Sequence, residues 1–350
     1  MKMIRIPALN NMSVPYHLRS CVWEITLACC FSCKYCGSSG GIARQNELST
    51  EECLDIVRQL SELGCQRVAL IGGEVFMRKD WPVIAKALTT QGIRVSIITN
   101  GFLFTDQLLQ ELKAAHVESV AVSLDGPEAV HDKYRQKGSY QRAVQAIHVL
   151  DAANIPVSII STLNAESMNY LEDFYRTVCT WPIKAWQLQA CSPMGNAANG
   201  GIDYQIDPCA VMRFVKLHLD SAPFILGVAD NIGYFSEDEG YLRGNQSGLA
   251  FFRGCSAGLS SIGIDSIGNV RGCESMYDER FIEGNLRKCA LKDIWNDPKA
   301  FSYNRAFNAD MLTGRCKNCA YGQFCAGGCR SYNHFVHGEL YESPMCRHNT

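Results

Sequence analysis

The chain has 350 residues, enough to bury one large domain and a smaller one. Its 33 basic and 35 acidic residues leave a formal net charge of −2, which excludes the basic footprint of a nucleic-acid binder. There is no apolar stretch of the roughly 18 residues that a membrane span needs. The N-terminus, broken by Pro7 and Pro15, lacks the apolar run of a signal peptide, so a cytoplasmic location is expected.

Short apolar runs at 22–27, 67–71, 95–99, 119–124, 157–162 and 186–189 predict strands, and amphipathic stretches at 50–63, 106–115 and 140–153 predict helices between them. Strands separated by helices pair in parallel through right-handed crossovers. Six such units predict an α/β fold, a partial (β/α)6 barrel, because a closed eightfold barrel needs more chain. Turn signals follow the strands: Gly72-Gly73-Glu74, Asn100-Gly101, Asp125-Gly126-Pro127 and Ser192-Pro193. At the carboxyl ends of parallel strands these turns are expected to share one rim, the active face of such folds. From about residue 200 the alternation fades. The expected organisation is a barrel over 1–200, a bridging region with helices over 201–250, and a loop-rich, cysteine-rich region over 251–350.

The 18 cysteines are far above average usage, yet a chain of this size needs no disulfide staples. In a reducing compartment, clustered cysteines point to metal. Cys29, Cys33 and Cys36 stand at C-x3-C-x2-C. On a helix these positions would form one stripe of core thiols. The segment instead follows a strand and runs into Gly37-Ser38-Ser39-Gly40-Gly41, which reads as a loop. Three thiolates on one loop can ligate three irons of a cubane and leave the fourth iron open to an amino-carboxylate. Cys30 lies outside the spacing and is read as a bystander.

A C-x3-C-x2-C loop after the first strand of a partial β/α barrel resembles the radical S-adenosylmethionine (AdoMet) superfamily. That resemblance implies AdoMet at the open iron and reductive cleavage to a 5′-deoxyadenosyl radical. It implies an adenine contact near Tyr35. It also matches Gly72, Gly73 and Glu74 to the family's GGE motif for the AdoMet amino group, although Val75 replaces the usual proline. It places Asn100, Ser123, Asp125 and Arg135 at ribose and carboxylate contacts, and strand-end polar groups with a guanidinium suit a zwitterion.

A second group follows near the C-terminus: Cys316, Cys319, Cys325 and Cys329, spaced C-x2-C-x5-C-x3-C, then Cys346, with Cys255 and Cys273 upstream. Paired C-x2-C spacings are typical of zinc, but seven cysteines exceed one tetrahedral site. The pattern resembles the SPASM domain, an extension that carries two auxiliary iron–sulfur clusters. By that resemblance Cys316, Cys319, Cys325 and Cys346 ligate one [4Fe–4S] cluster, and Cys255, Cys273 and Cys329 hold the other. Three clusters would thus account for 10 of the 18 cysteines. Sulfatase-maturating relatives have an eighth cysteine where "CSAGLSSIG" offers only serines.

SPASM enzymes act mostly on peptides and proteins. The function expected from the resemblance is oxidative side-chain cross-linking of a ribosomally synthesised peptide, through a carbon–carbon (cyclophane-like) or thioether bond. Sulfatase maturation by formylglycine formation and peptide epimerisation are the alternatives. A non-catalytic metal-binding scaffold belongs to another class, and the GGE and "SLDG" turns argue against it. Glu274 follows a cluster cysteine where sulfatase-maturating enzymes carry a catalytic carboxylate, so it is the candidate base. Cys191, just beyond the sixth strand, is the candidate hydrogen-donating thiol of an epimerase. The expected partners are a precursor peptide and a flavodoxin- or ferredoxin-type electron donor. Only 28 residues precede Cys29, too few for a leader-gripping winged helix, so leader recognition is expected to fall to a separate leader-binding protein or to the barrel and SPASM surfaces.

Overall fold

The computed structural model describes residues 16–199, 201–233 and 252–346. Strands and helices alternate through the first half as the apolar runs predict. The order is β1 (Ser20–Glu24), α1 (Thr50–Glu62), β2 (Arg67–Ile71), α2 (Trp81–Thr90), β3 (Arg94–Thr99), α3 (Asp106–Ala114) and β4 (Ser119–Ser123). It continues with α4 (Glu128–Tyr134), α5 (Ser139–Ala152), β5 (Val157–Leu163), α6 (Ala165–Met168), α7 (Leu171–Val178) and β6 (Ala185–Ala190).

Local chemistry sets these elements. Ser49 and Glu52 cap α1 reciprocally, each side chain accepting from the other's backbone N–H at 3.2 and 2.7 Å. Cys53, Ile56, Val57 and Leu60, at helical spacing, form the buried stripe of α1. In β5 the buried residues Val157, Ile159, Ser161 and Leu163 alternate with half-buried ones, so one strand face packs into the core. Each fully buried Ile or Leu of this kind contributes about 1.5–3 kcal/mol.

With β7 (Ile225–Val228), β8 (Ser261–Ile264), β9 (Asn269–Arg271) and β10 (Gly284–Asn285), the described strands join one sheet in the order β10-β9-β8-β1-β2-β3-β4-β5-β6-β7. β1 to β7 pair in parallel, neighbour to neighbour, and the order is linear, so the barrel is open between its two edges. The first strand ends earlier than expected. Residues 26–28 leave the ladder because the glycine turn and the cysteine loop use their carbonyls. Gly73 N–H donates to Thr26 O at 2.8 Å, Glu74 N–H to Ala28 O at 2.7 Å and Gly41 N–H to Leu27 O at 3.0 Å.

Four strands are additional to the six expected. β7 (Ile225–Val228) follows α8 (Pro208–His218) and pairs with β6. β8 (Ser261–Ile264) pairs in parallel with the free side of β1, and β9 (Asn269–Arg271) and β10 (Gly284–Asn285) follow it in antiparallel pairing. With two to four residues each, they carry too little alternation to stand out in a sequence. The cysteine-rich region is therefore docked on the barrel through β1. No described helix is long and apolar enough to cross a membrane.

Candidate active site on the carboxyl rim

The loop after β1 is closed at its neck. Cys29 N–H donates to Gly41 O at 2.8 Å, and Glu47 accepts from Leu27 N–H at 2.7 Å and from Thr26 Oγ1 at 2.9 Å. A Cβ on Gly73 would stand 2.4 Å from Leu27 O, and one on Gly72 2.7 Å from Thr26 O, so only glycine permits this approach of β2 to the loop. The far side of the loop is held by the segment after β6. Asn196 donates to Cys36 O through its backbone N–H and to Cys33 O through Nδ2, both at 2.9 Å. Gly195, at φ +56°, lies where a Cβ would be 2.3 Å from Gly37 O.

Within the loop, Phe31 N–H points to Cys29 Sγ at 3.4 Å and Gly40 N–H to Cys36 Sγ at 3.2 Å. Burial pushes the Cys33 thiol up to about 11. Cys29 and Cys30 hydrogen-bond to each other, which favours ionisation of Cys30 and opposes that of Cys29. Cys30, outside the ligand spacing, also receives Asn100 Nδ2 at 3.4 Å. Among the described residues no three His, Cys, Asp or Glu side chains converge on a single ion. Three thiols on one loop, two of them faced by backbone amides, fit a cubane, which takes one thiolate per iron.

The rim turns meet at this loop. Glu74 is fully buried and accepts from Thr99 Oγ1 at 2.9 and 3.0 Å, from Asn100 N–H at 2.8 Å and from Phe76 N–H at 3.3 Å. Burial raises its carboxyl to about 7, against the pull of these donors. Burial would also raise Asp125, yet Arg135 outweighs it and holds the carboxyl below its ordinary value. The pair is bidentate, Nε to Oδ2 at 2.5 Å and Nη2 to Oδ1 at 3.2 Å, and Thr162 N–H adds a bond to Asp125 at 2.9 Å. Tyr35 donates its hydroxyl to the same carboxylate, and its ring lies 5.4 Å from the Arg135 guanidinium. Ser123 closes β4 beside them. Asp125 and Arg135 thus act as one unit, a relationship that their separate motifs do not reveal.

Cys191 follows β6 and is buried among Tyr35, Val130, Tyr134, Ala197 and Ile202. Burial pushes its thiol up to about 12, and Asp125 adds to the rise. Tyr332, one turn past Cys329, is close enough to both Cys191 and Cys329 for their charges to act on it.

Of the eight cysteines after residue 250, Cys289 is exposed and the seven candidate ligands fall into two neighbourhoods. Cys255 acts electrostatically on Cys273, and both act on Cys329. Cys346, Cys316 and Cys319 act on Cys325, and Cys325 and Cys346 are buried with Phe252 and Tyr321. Glu274 lies between the first neighbourhood and β1. Its side chain is buried, and neither carboxylate oxygen has a hydrogen-bond partner. Burial and then Glu24 push its carboxyl well up, opposed by Arg271.

Around Glu274 runs a charged seam that joins barrel and C-terminal region. Arg44 donates to Glu24, to Ser266 and to the Tyr277 hydroxyl. Tyr277 donates to Glu24 Oε2 at 2.8 Å, and Arg271 pairs with Asp265 at 3.0 Å. The sequence reading missed Asn196, Arg44 and Glu24. Only Glu24 left a signal, a lone carboxylate inside the apolar run "VWEI".

Residues 23–178 match the family model described as the radical SAM superfamily, and residues 255–320 match the SPASM model, described as an iron–sulfur cluster-binding domain. The AdoMet-dependent heme synthase of Methanosarcina barkeri is 27% identical, over 94% of this chain and 96% of its own length. Mycofactocin maturase MftC of Mycolicibacterium smegmatis is 28% identical, over 90% of this chain and 78% of its own. Streptococcus suis SuiB bound to S-adenosylmethionine shares the fold at a TM-score of 0.77 and 17% identity, over 95% of this chain and 78% of that one. The same enzyme bound to its precursor peptide SuiA aligns at 0.74 and 18% identity, over 95% of this chain and 76% of that one.

Proposed function

Because this chain belongs to the radical SAM superfamily and carries a SPASM domain behind its barrel, we propose that it modifies a ribosomally synthesised peptide by oxidative side-chain cross-linking. Its cofactors are AdoMet and iron–sulfur clusters, three of the latter in this reading. When bound, AdoMet and the barrel cluster together supply a 5′-deoxyadenosyl radical able to take a hydrogen atom from an unactivated carbon. Cys29, Cys33 and Cys36 would hold that cluster. Glu74 would receive the AdoMet ammonium, with Tyr35, Gly72, Gly73, Asn100, Ser123 and the Asp125–Arg135 pair around the rest. Cys316, Cys319, Cys325 and Cys346 would hold the outer auxiliary cluster, and Cys255, Cys273 and Cys329 the inner one.

The observation that carries an oxidative outcome is Glu274, whose two carboxylate oxygens lie buried and unpartnered directly after Cys273. Forming a carbon–carbon or thioether cross-link removes two hydrogens from the peptide. The first leaves as an atom. The second would leave as a proton, which Glu274 would accept in its ionised form, and an electron, which a cluster held by Cys255, Cys273 and Cys329 would be placed to take up. A peptide substrate is supported by MftC, named a maturase, and by SuiB, solved with a precursor peptide on the same fold. The electrons that start the cycle would come from a flavodoxin- or ferredoxin-type donor.

A tetrapyrrole substrate is the second reading, favoured by the heme synthase relative, which aligns over 96% of its own length. The test is incubation of the reconstituted enzyme, AdoMet and reductant with the small peptides encoded beside its gene, and in parallel with porphyrin substrates. A peptide product two hydrogens lighter, without solvent deuterium at the reacting carbon, is the expected result. Turnover of porphyrin alone would replace this reading.

A further inference from the structure

Arg330 opens the helix Arg330–His337 immediately after Cys329, and it is fully buried, at 0% exposure. Its ring neighbours are Phe307 and Tyr341, with centroids 5.4 and 4.5 Å from the guanidinium. Nη1 donates to the carbonyls of Ala326 and Leu340, the latter at 3.0 Å. Nε and Nη2 have no hydrogen-bond partner, and no described carboxylate forms an ion pair with this residue. A guanidinium keeps its charge in proteins, and a buried unpaired cation costs several kcal/mol. Such a group needs an anion that the polypeptide alone does not provide. Arg330 directly follows Cys329 of one cysteine neighbourhood, and the Ala326 carbonyl it holds directly follows Cys325 of the other, so the guanidinium lies beside a cysteine of each.

We propose that Arg330 is the shared counter-charge of the two auxiliary clusters, with its Nε and Nη2 hydrogens donating to cluster sulfur. This rests on the auxiliary-cluster assignment made above. Thiolate-ligated cubanes are anionic and become more so on reduction, and their potentials follow net charge and hydrogen bonds to sulfur. A fixed cation between the two sites stabilises both reduced states. It thereby favours their acceptance of the electron that an oxidative reaction releases.

The test uses the full-length, cluster-loaded protein in a Cys29→Ala/Cys33→Ala/Cys36→Ala background, so that only auxiliary clusters remain. Redox titration followed by electron paramagnetic resonance reads their midpoint potentials. Arg330→Gln is expected to cut the reduced-to-oxidised ratio at a fixed potential about tenfold, a downward shift of about 59 mV for one electron. Arg330→Lys, which keeps the charge, should restore most of it. Full iron content with unchanged potentials in Arg330→Gln overturns the proposal.

If Arg330→Gln does not fold, pulsed resonance on the Arg330 protein labelled with guanidino-nitrogen-15 arginine decides. An arginine nitrogen coupled to the reduced clusters supports the proposal, and no coupling overturns it. Should the background protein itself lack the iron of two clusters, the auxiliary assignment fails first and this inference with it.

Discussion

Asn196 stands 163 residues beyond Cys33 in sequence, yet its side-chain amide donates to the Cys33 carbonyl at 2.9 Å. Its backbone N–H holds the Cys36 carbonyl at the same distance. The segment after the sixth strand is therefore a clamp on the loop that carries Cys29, Cys33 and Cys36. Two cysteine carbonyls, fixed from outside the loop, set where the thiols point.

Loss of this clamp should loosen the loop in a graded way. Asn196→Ala removes one hydrogen bond, worth about 1 kcal/mol, and should modestly speed iron loss to a chelator. Gly195→Ala should do more harm, because φ is +56° there and the new Cβ would meet Gly37 O at 2.3 Å. Iron content after anaerobic reconstitution measures both. A Gly195→Ala protein with normal iron content would contradict the clamp.

Cluster counting separates the cysteine groups. Alanine at Cys29, Cys33 and Cys36 together should abolish 5′-deoxyadenosine formation and leave roughly two clusters bound. Alanine at Cys316 or Cys346 should cost the outer cluster and soluble yield, since a loop-rich region folds around its metal. Continued AdoMet cleavage by the triple variant, or zinc in place of iron, would contradict the assignments.

Glu274 and Cys191 give opposite outcomes for the two peptide chemistries. Glu274→Gln changes the volume little but removes the proton acceptor, so cross-linking should fall by about 10²-fold or more. Cys191→Ala should leave cross-linking largely intact. Epimerisation would instead leave the peptide mass unchanged, add one deuterium in heavy water, and stop in Cys191→Ala. Mass spectrometry of products made in light and heavy water reads both.

AdoMet binding should depend on pH through Glu74. Its carboxyl is raised from 4.5 to about 7 by burial, so folding disfavours the charged form and this group's contribution to stability declines as pH rises through that window. Binding an ammonium requires the carboxylate. Affinity should therefore weaken as pH falls below about 7, approaching about tenfold per unit well below it. Equilibrium dialysis of AdoMet against cluster-loaded protein, between about pH 6 and 8, measures the slope. Glu74→Gln should bind weakly with a flat profile, and a steep profile in that variant would assign the dependence elsewhere.

The sequence by itself determined whatever is written at short range. The apolar runs placed six strands, because pleat and helix periods repeat within a few residues. Glycine turns marked the rim, and cysteine spacing marked loops built for more than one metal ion. The tertiary structure alone decided the rest. β8 pairs with β1 across about 240 residues of chain through four residue pairs, too short a strand to announce itself.

That pairing carries Cys273 and Glu274 to the open side of the barrel, where a Cβ at Gly263 would be 2.3 Å from Glu274 N. Whether Glu274 is a solvated loop residue or a buried, unpartnered acid depends on what packs over it, and nothing in "GCESM" states that. The same holds for Arg330, an ordinary arginine in sequence, and for Asp125 and Arg135, whose ten-residue separation conceals a bidentate pair. Burial and partnership are properties of distant chain brought together, so local pattern is silent on them.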